Sequence, residues 1–149
     1  MARNYRNGSS GGGGGIAFVD DVVDTDVRIK EIRIRAGSRI DSVQIVYEKA
    51  NGGTVEKPQH GGNGGRLQVF LLDDDEFITG ISGRAGDNVD SLVIQTNKQS
   101  SPRYGGNGGR IEFSYNAPED TEISGFMGRA ADRIDAIGVL LRTRRPTSF

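Results

Sequence analysis

The stretch Gly83-Arg84-Ala85-Gly86-Asp87-Asn88-Val89-Asp90-Ser91 occurs in three versions along this chain, and that repetition limits the fold more than any other feature. One relative is Arg35-Ala36-Gly37-Ser38-Arg39-Ile40-Asp41-Ser42, and the other is Gly128-Arg129-Ala130-Ala131-Asp132-Arg133-Ile134-Asp135-Ala136. The last Asp recurs at 41, 90 and 135, offsets of 49 and 45 residues. A second motif keeps the same beat: Gly61-Gly62-Asn63-Gly64-Gly65, then Gly105-Gly106-Asn107-Gly108-Gly109, with a plain glycine run at 11–15 in the corresponding first place. A period of this size means one structural unit built three times, stable only when the copies pack on one another.

Each glycine loop leads into a short alternating segment: Ile16 and Phe18, then Leu67, Val69 and Leu71, then Ile111, Phe113 and Tyr115. Period-two alternation predicts strands that bury these residues on one face. After a polar turn (20–26, 73–76, 116–122), the apolar pairs Ile29/Ile32, Ile78/Ile81 and Ile123/Phe126 are spaced by three, which predicts a bulge or tight bend. The Asp motif follows, and a last strand carries Ile40, Val43, Ile45; Val89, Leu92, Ile94; Ile134, Ile137, Val139. No window has the apolar spacing of an amphipathic helix, and β-branched residues fill the periodic segments, so the class is all-β. Three sheets, each with one apolar face, satisfy themselves by packing those faces around a common axis as a three-sided prism.

Composition removes several chemistries. The chain has no cysteine and one histidine, which excludes thiolate metal sites and disulfides and disfavours imidazole-based ones. Net charge is −1 with both signs interspersed, so no basic face is offered to nucleic acid. The first ten residues lack the apolar stretch of a signal peptide or membrane anchor. A cytoplasmic location without membrane insertion is expected, with 1–10 as a flexible polar tail and 11–149 as one domain of three repeats.

The paired motifs, Gly-Gly-x-Gly-Gly and Gly-Asp-x-x-Asp followed by a small residue and an apolar strand, resemble the jacalin-related lectins from about Gly11 to Arg142. The resemblance implies a β-prism I of three four-stranded antiparallel sheets with internal threefold pseudo-symmetry. Most plant members keep the sugar site in one repeat; repetition of both halves in all three is similar to the trivalent algal lectin griffithsin. The implied partners are mannose-containing glycans or glycoproteins, bound without catalysis, metal or other cofactor. Homo-oligomerisation would multiply the sites further.

Sugar hydroxyls are paired donors and acceptors on a rigid ring, so a fixed carboxylate and nearby peptide N–H groups suit them. Asp41, Asp90 and Asp135 supply the carboxylates, and the loop before each supplies N–H groups from Arg39 and Ile40, Asn88 and Val89, Arg133 and Ile134. The resemblance pairs Asp41 with Gly65, Asp90 with Gly109, and Asp135 with Gly14 or Gly15. It places sugar O4 and O6 on the carboxylate and O3 near a glycine N–H, which favours mannose or glucose. Galactose-binding members need a cleaved chain with a free N-terminal glycine, and no such processing site is visible here.

The chain departs from the family in two ways. The first acidic position is Ser38 in one copy and Asp87 and Asp132 in the others, and the next position, often Tyr in the family, is Arg39, Asn88 or Arg133. This removes a stacking surface, while an Arg can reach along an oligosaccharide or attract an acidic one. His60 and Tyr104, each preceding a glycine loop, either touch ligand or pack. Two other readings remain: a prism whose Asp residues cap turns and which binds a protein instead of a sugar, and a glycosidase using Asp132 and Asp135. Three equivalent copies disfavour the second, since catalysis needs two carboxylates in different environments.

Overall fold

The computed structural model describes residues 4–22 and 26–144. Residues 1–3, 23–25 and 145–149, parts of the expected tail, first polar turn and domain end, lie outside the described residues. The described chain forms β1 (Asn4–Gly11), β2 (Ile16–Val19), β3 (Arg28–Ala36), β4 (Ile40–Glu48), β5 (Thr54–Glu56), β6 (His60–Gly61) and β7 (Arg66–Leu71). It continues with β8 (Ile78–Ala85), β9 (Val89–Thr96), β10 (Tyr104–Gly105), β11 (Ile111–Asn116), β12 (Thr121–Ala130) and β13 (Ile134–Thr143). The described residues include no helix, and every strand pairing is antiparallel.

Each repeat contributes one long hairpin, β3–β4, β8–β9 or β12–β13, and the Asp motif is its tip. A shorter strand flanks it on either side. The orders are β7-β3-β4 with β5 and β6 sharing the far edge of β4, then β11-β8-β9-β10, then β2-β12-β13-β1. The pair Ile78–Ile123 joins the second and third groups into one continuous sheet. The fourth strand is full length only in the third group, where β1 runs along β13. Residues 4–10 are therefore strand and not a flexible tail. Pairing of backbone groups needs no apolar side chain, and Gly8 lets β1 close on Gly138, where a Cβ would come within 2.6 Å of the glycine Cα.

The long hairpins make the core. Ile32 opposes Ile45 and Ile34 opposes Val43; Ile81 opposes Ile94; Phe126 opposes Val139; all are fully buried. Strands β4, β9 and β13 meet at the centre. Burying an Ile, Leu or Phe side chain contributes about 1.5 to 3 kcal/mol, so these threefold-related positions dominate the stability. The three-residue apolar step corresponds to a register shift in each hairpin, between Ile29 and Glu31, Ile78 and Gly80, and Ile123 and Gly125. Each is the expected bulge, and it returns the next apolar residue to the inner face.

The short strands correct the expected alternation. In β7 the inward residue is Phe70, 6% exposed, while Leu67, Val69 and Leu71 are 48%, 47% and 63% exposed. The segment 67–72 is apolar on both faces except at Gln68, so alternation does not choose a face; register with β3, which sets Phe70 opposite Ile32, does. Ile16 and Ile111 are also exposed, at the strand ends beside the glycine loops, whereas Phe113 is buried and Phe18 and Tyr115 are half-buried. Tyr104 is buried. His60 stacks on Phe18 with ring centroids 4.0 Å apart, and its Nε2 lies 2.8 Å from Asp20 Oδ1. Both residues before the glycine loops therefore pack.

Candidate carbohydrate-binding recesses

In each sheet the glycine loop connects the two outer strands and so passes over the tip of the hairpin between them, where the Asp lies. Three backbone bonds of identical length fix this crossing: the N–H of Gly62, Gly106 and Gly12 donates to the carbonyl of Asp41, Asp90 and Asp135 at 2.9 Å. Within each tip, Gly37, Gly86 and Ala131 N–H groups donate to the carbonyls of Arg39, Asn88 and Arg133 at 2.9 to 3.1 Å. Ile40, Val89 and Ile134 are fully buried beneath the tips.

The carboxylates meet the glycines expected of them. A Cβ on Gly65 would lie 2.6 Å from Asp41 Oδ2, one on Gly109 2.8 Å from Asp90 Oδ2, and one on Gly15 2.5 Å from Asp135 Oδ2. A Cβ on the preceding glycines, Gly64, Gly108 and Gly14, would lie 3.0, 2.8 and 3.1 Å from Oδ1 of the same three residues. Gly65, Gly109 and Gly15 also have φ of 67°, 87° and 74°, so both space and backbone conformation demand glycine. The run 11–15, which lacks the central Asn, adopts the same arrangement as the other two loops.

Sequence reading missed what holds the loops. Arg35 Nε and Nη2 donate to the carbonyls of Gly64 and Gly65 at 3.1 and 3.3 Å; Arg129 does the same to Gly14 and Gly15 at 3.0 and 2.8 Å; Arg84 Nε reaches Gly109 at 3.0 Å. Each Arg thus fixes carbonyls at the end of its glycine loop. The signal was present, because an Arg stands six residues before each Asp.

The three recesses form a ring at one end of the prism. A Cβ on Gly62 would fall 2.3 Å from the Asp132 carbonyl, one on Gly106 2.4 Å from that of Ser38, and one on Gly12 2.4 Å from that of Asp87. Each glycine loop thus abuts the Asp loop of the neighbouring recess. The side chains of Ser38, Asp87 and Asp132 are exposed, and Arg39, Asn88 and Arg133 are half-exposed. Asn88 Nδ2 donates to Asp135 Oδ1 at 2.8 Å and Arg39 Nη1 donates to Asn88 Oδ1 at 3.5 Å, while no such bond joins Arg39 to Asp90 or Arg133 to Asp41 among the described residues. Asp135 is 9% exposed with Oδ2 unpartnered and buried, whereas Asp41 and Asp90 are half-buried.

A carboxylate facing glycines that carry no side chain makes a recess suited to a polyhydroxylated ring. Among the described residues no three His, Asp or Glu side chains converge as metal ligands, and no helix is long and apolar enough to cross a membrane.

The fold and recesses define a β-prism lectin domain. The chain matches the Jacalin-like lectin domain over residues 7–140 and belongs to that family, whose members bind carbohydrate without catalysis. It is 36% identical over 78 residues to Jacalin-related lectin 19 of Arabidopsis thaliana, covering 51% of this chain and 42% of that protein. The chain spans less than half the length of that relative and of the Arabidopsis Jacalin-related lectins 5 and 36. Among solved structures, wild-type Malaysian banana lectin is 29% identical with a TM-score of 0.83, covering 95% of this chain and 100% of its own. AcmJRL, a mannose-binding jacalin-related lectin from Ananas comosus, is 28% identical with a TM-score of 0.82, over 95% and 99% of the two chains.

Proposed function

We propose that this chain is a multivalent lectin for mannose-type glycans, with recesses at Asp41, Asp90 and Asp135 that bind sugar reversibly and without turnover. The observation that carries the reading is the threefold recurrence of one cradle, a carboxylate facing two glycines that a Cβ would obstruct. Sugar hydroxyls donate to the carboxylate, and N–H groups of Arg39 and Ile40, Asn88 and Val89, Arg133 and Ile134 donate to sugar oxygens. Hydrogen bonds to a charged acceptor contribute about 1.5 to 3 kcal/mol each, and a millimolar monosaccharide site has only about 4.1 kcal/mol in total. Removing the Asp therefore abolishes a recess. Weak sites sharing one end of the prism gain roughly 10² to 10⁴ in avidity on clustered glycans that span them. The solved structure of the mannose-binding AcmJRL supports the sugar class.

Titration calorimetry with methyl mannoside, beside methyl galactoside, tests this reading. Mannoside should bind at up to three equivalents per chain, the Asp135 recess filling last, and the Asp41→Ala, Asp90→Ala, Asp135→Ala triple variant should bind none while remaining folded. Absence of heat with either sugar would leave the prism intact and refute the monosaccharide site.

A further inference from the structure

The outer faces of the three sheets carry different chemistry, although the hairpins beneath them are alike. Register within the hairpins aligns Ser82 with Arg33 and Met127, Ser91 with Ser42 and Ala136, and Val93 with Gln44 and Gly138. On the flanking strands, Ser114 aligns with Val69 and Val19. The first sheet has this face already occupied: Arg33 pairs with Glu31 at 2.8 Å and also with Glu56, and Gln44 Nε2 donates to the Lys57 carbonyl at 3.0 Å. On the third sheet, Met127, Ala136 and Val19 offer no hydrogen-bonding group from their side chains, and Gly8 of β1 closes on Gly138.

The second sheet keeps an open groove of about 450 Å³, whose polar lining is Ser82, Ser91, Ser114, Arg84, Arg103 and Glu112. Each serine accepts one hydrogen bond from within the chain: Ser82 from Gln95 Nε2 at 3.1 Å, Ser91 from the Arg84 N–H at 3.1 Å, and Ser114 from Asn116 Nδ2 at 3.3 Å. None of the three donates one among the described residues, so their O–H groups are uncommitted. Ser91 is buried, Ser82 half-buried and Ser114 exposed. Arg84 meets Glu112 at 3.1 Å, which balances those two charges. Arg103 meets no carboxylate among the described residues; its Nη2 donates to the Gly106 carbonyl at 2.6 Å. Since Ser91 follows Asp90, and Arg84 and Arg103 hold the Gly109 and Gly106 carbonyls, the groove adjoins the second recess.

We infer that this groove is a subsite for an anionic sugar unit, carboxylated or sulfated, bound by Arg103 and the serine hydroxyls beside the Asp90 recess. An ionised carboxylate or sulfate only accepts hydrogen bonds, and the uncommitted O–H groups and the unneutralised guanidinium all donate them. Bonds from a guanidinium to an anionic oxygen are roughly twice as strong as those between neutral groups, so the charge of the sugar decides its affinity. That one glycan fills groove and recess together rests on the lectin reading, whereas occupation of the groove by an anionic sugar does not.

Amide NMR at low ionic strength tests the groove directly, with methyl glucuronide as the probe and methyl glucoside as its uncharged counterpart. The glucuronide should shift the Ser82, Ser91 and Ser114 resonances and bind about tenfold tighter than the glucoside, and added salt should narrow that gap. Titration with methyl glucoside 6-sulfate tells the two anions apart, the tighter ligand assigning the groove to uronates or to sulfated sugars. Arg103→Gln should remove the preference for charge, and so should Ser114→Glu, which adds a carboxylate at an exposed position; both should keep the native circular dichroism. Equal affinity for glucuronide and glucoside in the native chain would overturn the inference, as would a preference that survives in Arg103→Gln. Methyl mannoside, read at Gly108 and Gly109, reports the recess separately. A chain that takes the glucuronide but no mannoside refutes the lectin reading alone, and one that takes mannoside but no glucuronide refutes the groove alone.

Discussion

Asn88 Nδ2 donates to Asp135 Oδ1 at 2.8 Å, so a side chain from the second Asp loop occupies an acceptor in the third recess. A hydroxyl of bound sugar must displace that amide or share the oxygen with it. Arg39 and Arg133, which hold the same place in the other loops, make no such bond to the next carboxylate among the described residues. Three recesses that are alike in backbone therefore differ in how available their carboxylates are.

The expected consequence is unequal affinity. Asn88→Ala frees Asp135 Oδ1, and if the lost bond is at the low end for a charged acceptor, about 1.5 kcal/mol, mannoside affinity at the third recess rises about tenfold. Amide resonances of Gly14 and Gly15 report that recess, those of Gly64 and Gly65 the first, and those of Gly108 and Gly109 the second. Titration of the native protein should show the Gly14 and Gly15 signals saturating last, and the variant should remove the lag. Equal midpoints at all three reporters in the native chain would refute the competition.

The glycine that faces each carboxylate should be intolerant of a single methyl group. Gly65→Ala puts a Cβ 2.6 Å from Asp41 Oδ2 and forces a non-glycine residue to φ near 67°. The strain costs about 1 to 3 kcal/mol, which should lower the melting temperature by several degrees and remove one equivalent of sugar in calorimetry. Gly53→Ala, in the β4–β5 turn and without positive φ, serves as a control that leaves sugar binding unchanged.

Loss of the arginine clamp should separate binding from stability. Arg129→Lys keeps the charge but cannot bridge the Gly14 and Gly15 carbonyls with a planar fork. Because the bonds are exposed, the melting temperature should barely change, while mannoside affinity at the Gly14 and Gly15 reporters falls several-fold. A variant that binds as tightly as the native chain would show that the loop holds its shape without the clamp.

The parts of this molecule legible in its sequence are those that recur in register. The bulge after Ile29, Ile78 and Ile123 and the hairpin tips each appear three times, so coincidence is suppressed by repetition, while the Asp–glycine partners followed from the family resemblance. What escaped was of three physical kinds. Strand β1 is held by backbone pairing with β13 and leaves no apolar pattern to find in 4–10. The face of β7 is fixed by register against β3, because both of its faces are apolar. The bond from Asn88 to Asp135 crosses between repeats, and a repeat pattern aligns equivalent residues without showing which of them meet across the axis.

Glu76 gives the end of the prism opposite the Asp recesses an acid-sensitive fastening. It is 4% exposed; Oε1 accepts the Asp73 N–H at 3.0 Å, and Oε2 accepts the Thr96 hydroxyl at 2.6 Å and the Gln99 amide at 2.9 Å. Burial opposes the charge and is the largest single influence, but the three donors, with the nearby Lys98, together outweigh it and hold the carboxyl below its ordinary 4.5. A carboxyl depressed in the folded state stabilises above its unfolded value, and the contribution is lost as pH falls through the folded one. Thermal melts should thus show stability flat above about pH 5, declining as pH drops below 4.5, with the Glu76→Gln variant less stable at neutral pH and shallower in its decline. Sugar affinity measured on the folded variant at neutral pH should equal that of the native chain, because Glu76 lies in the turn before β8 and the recesses lie at the other end of that strand.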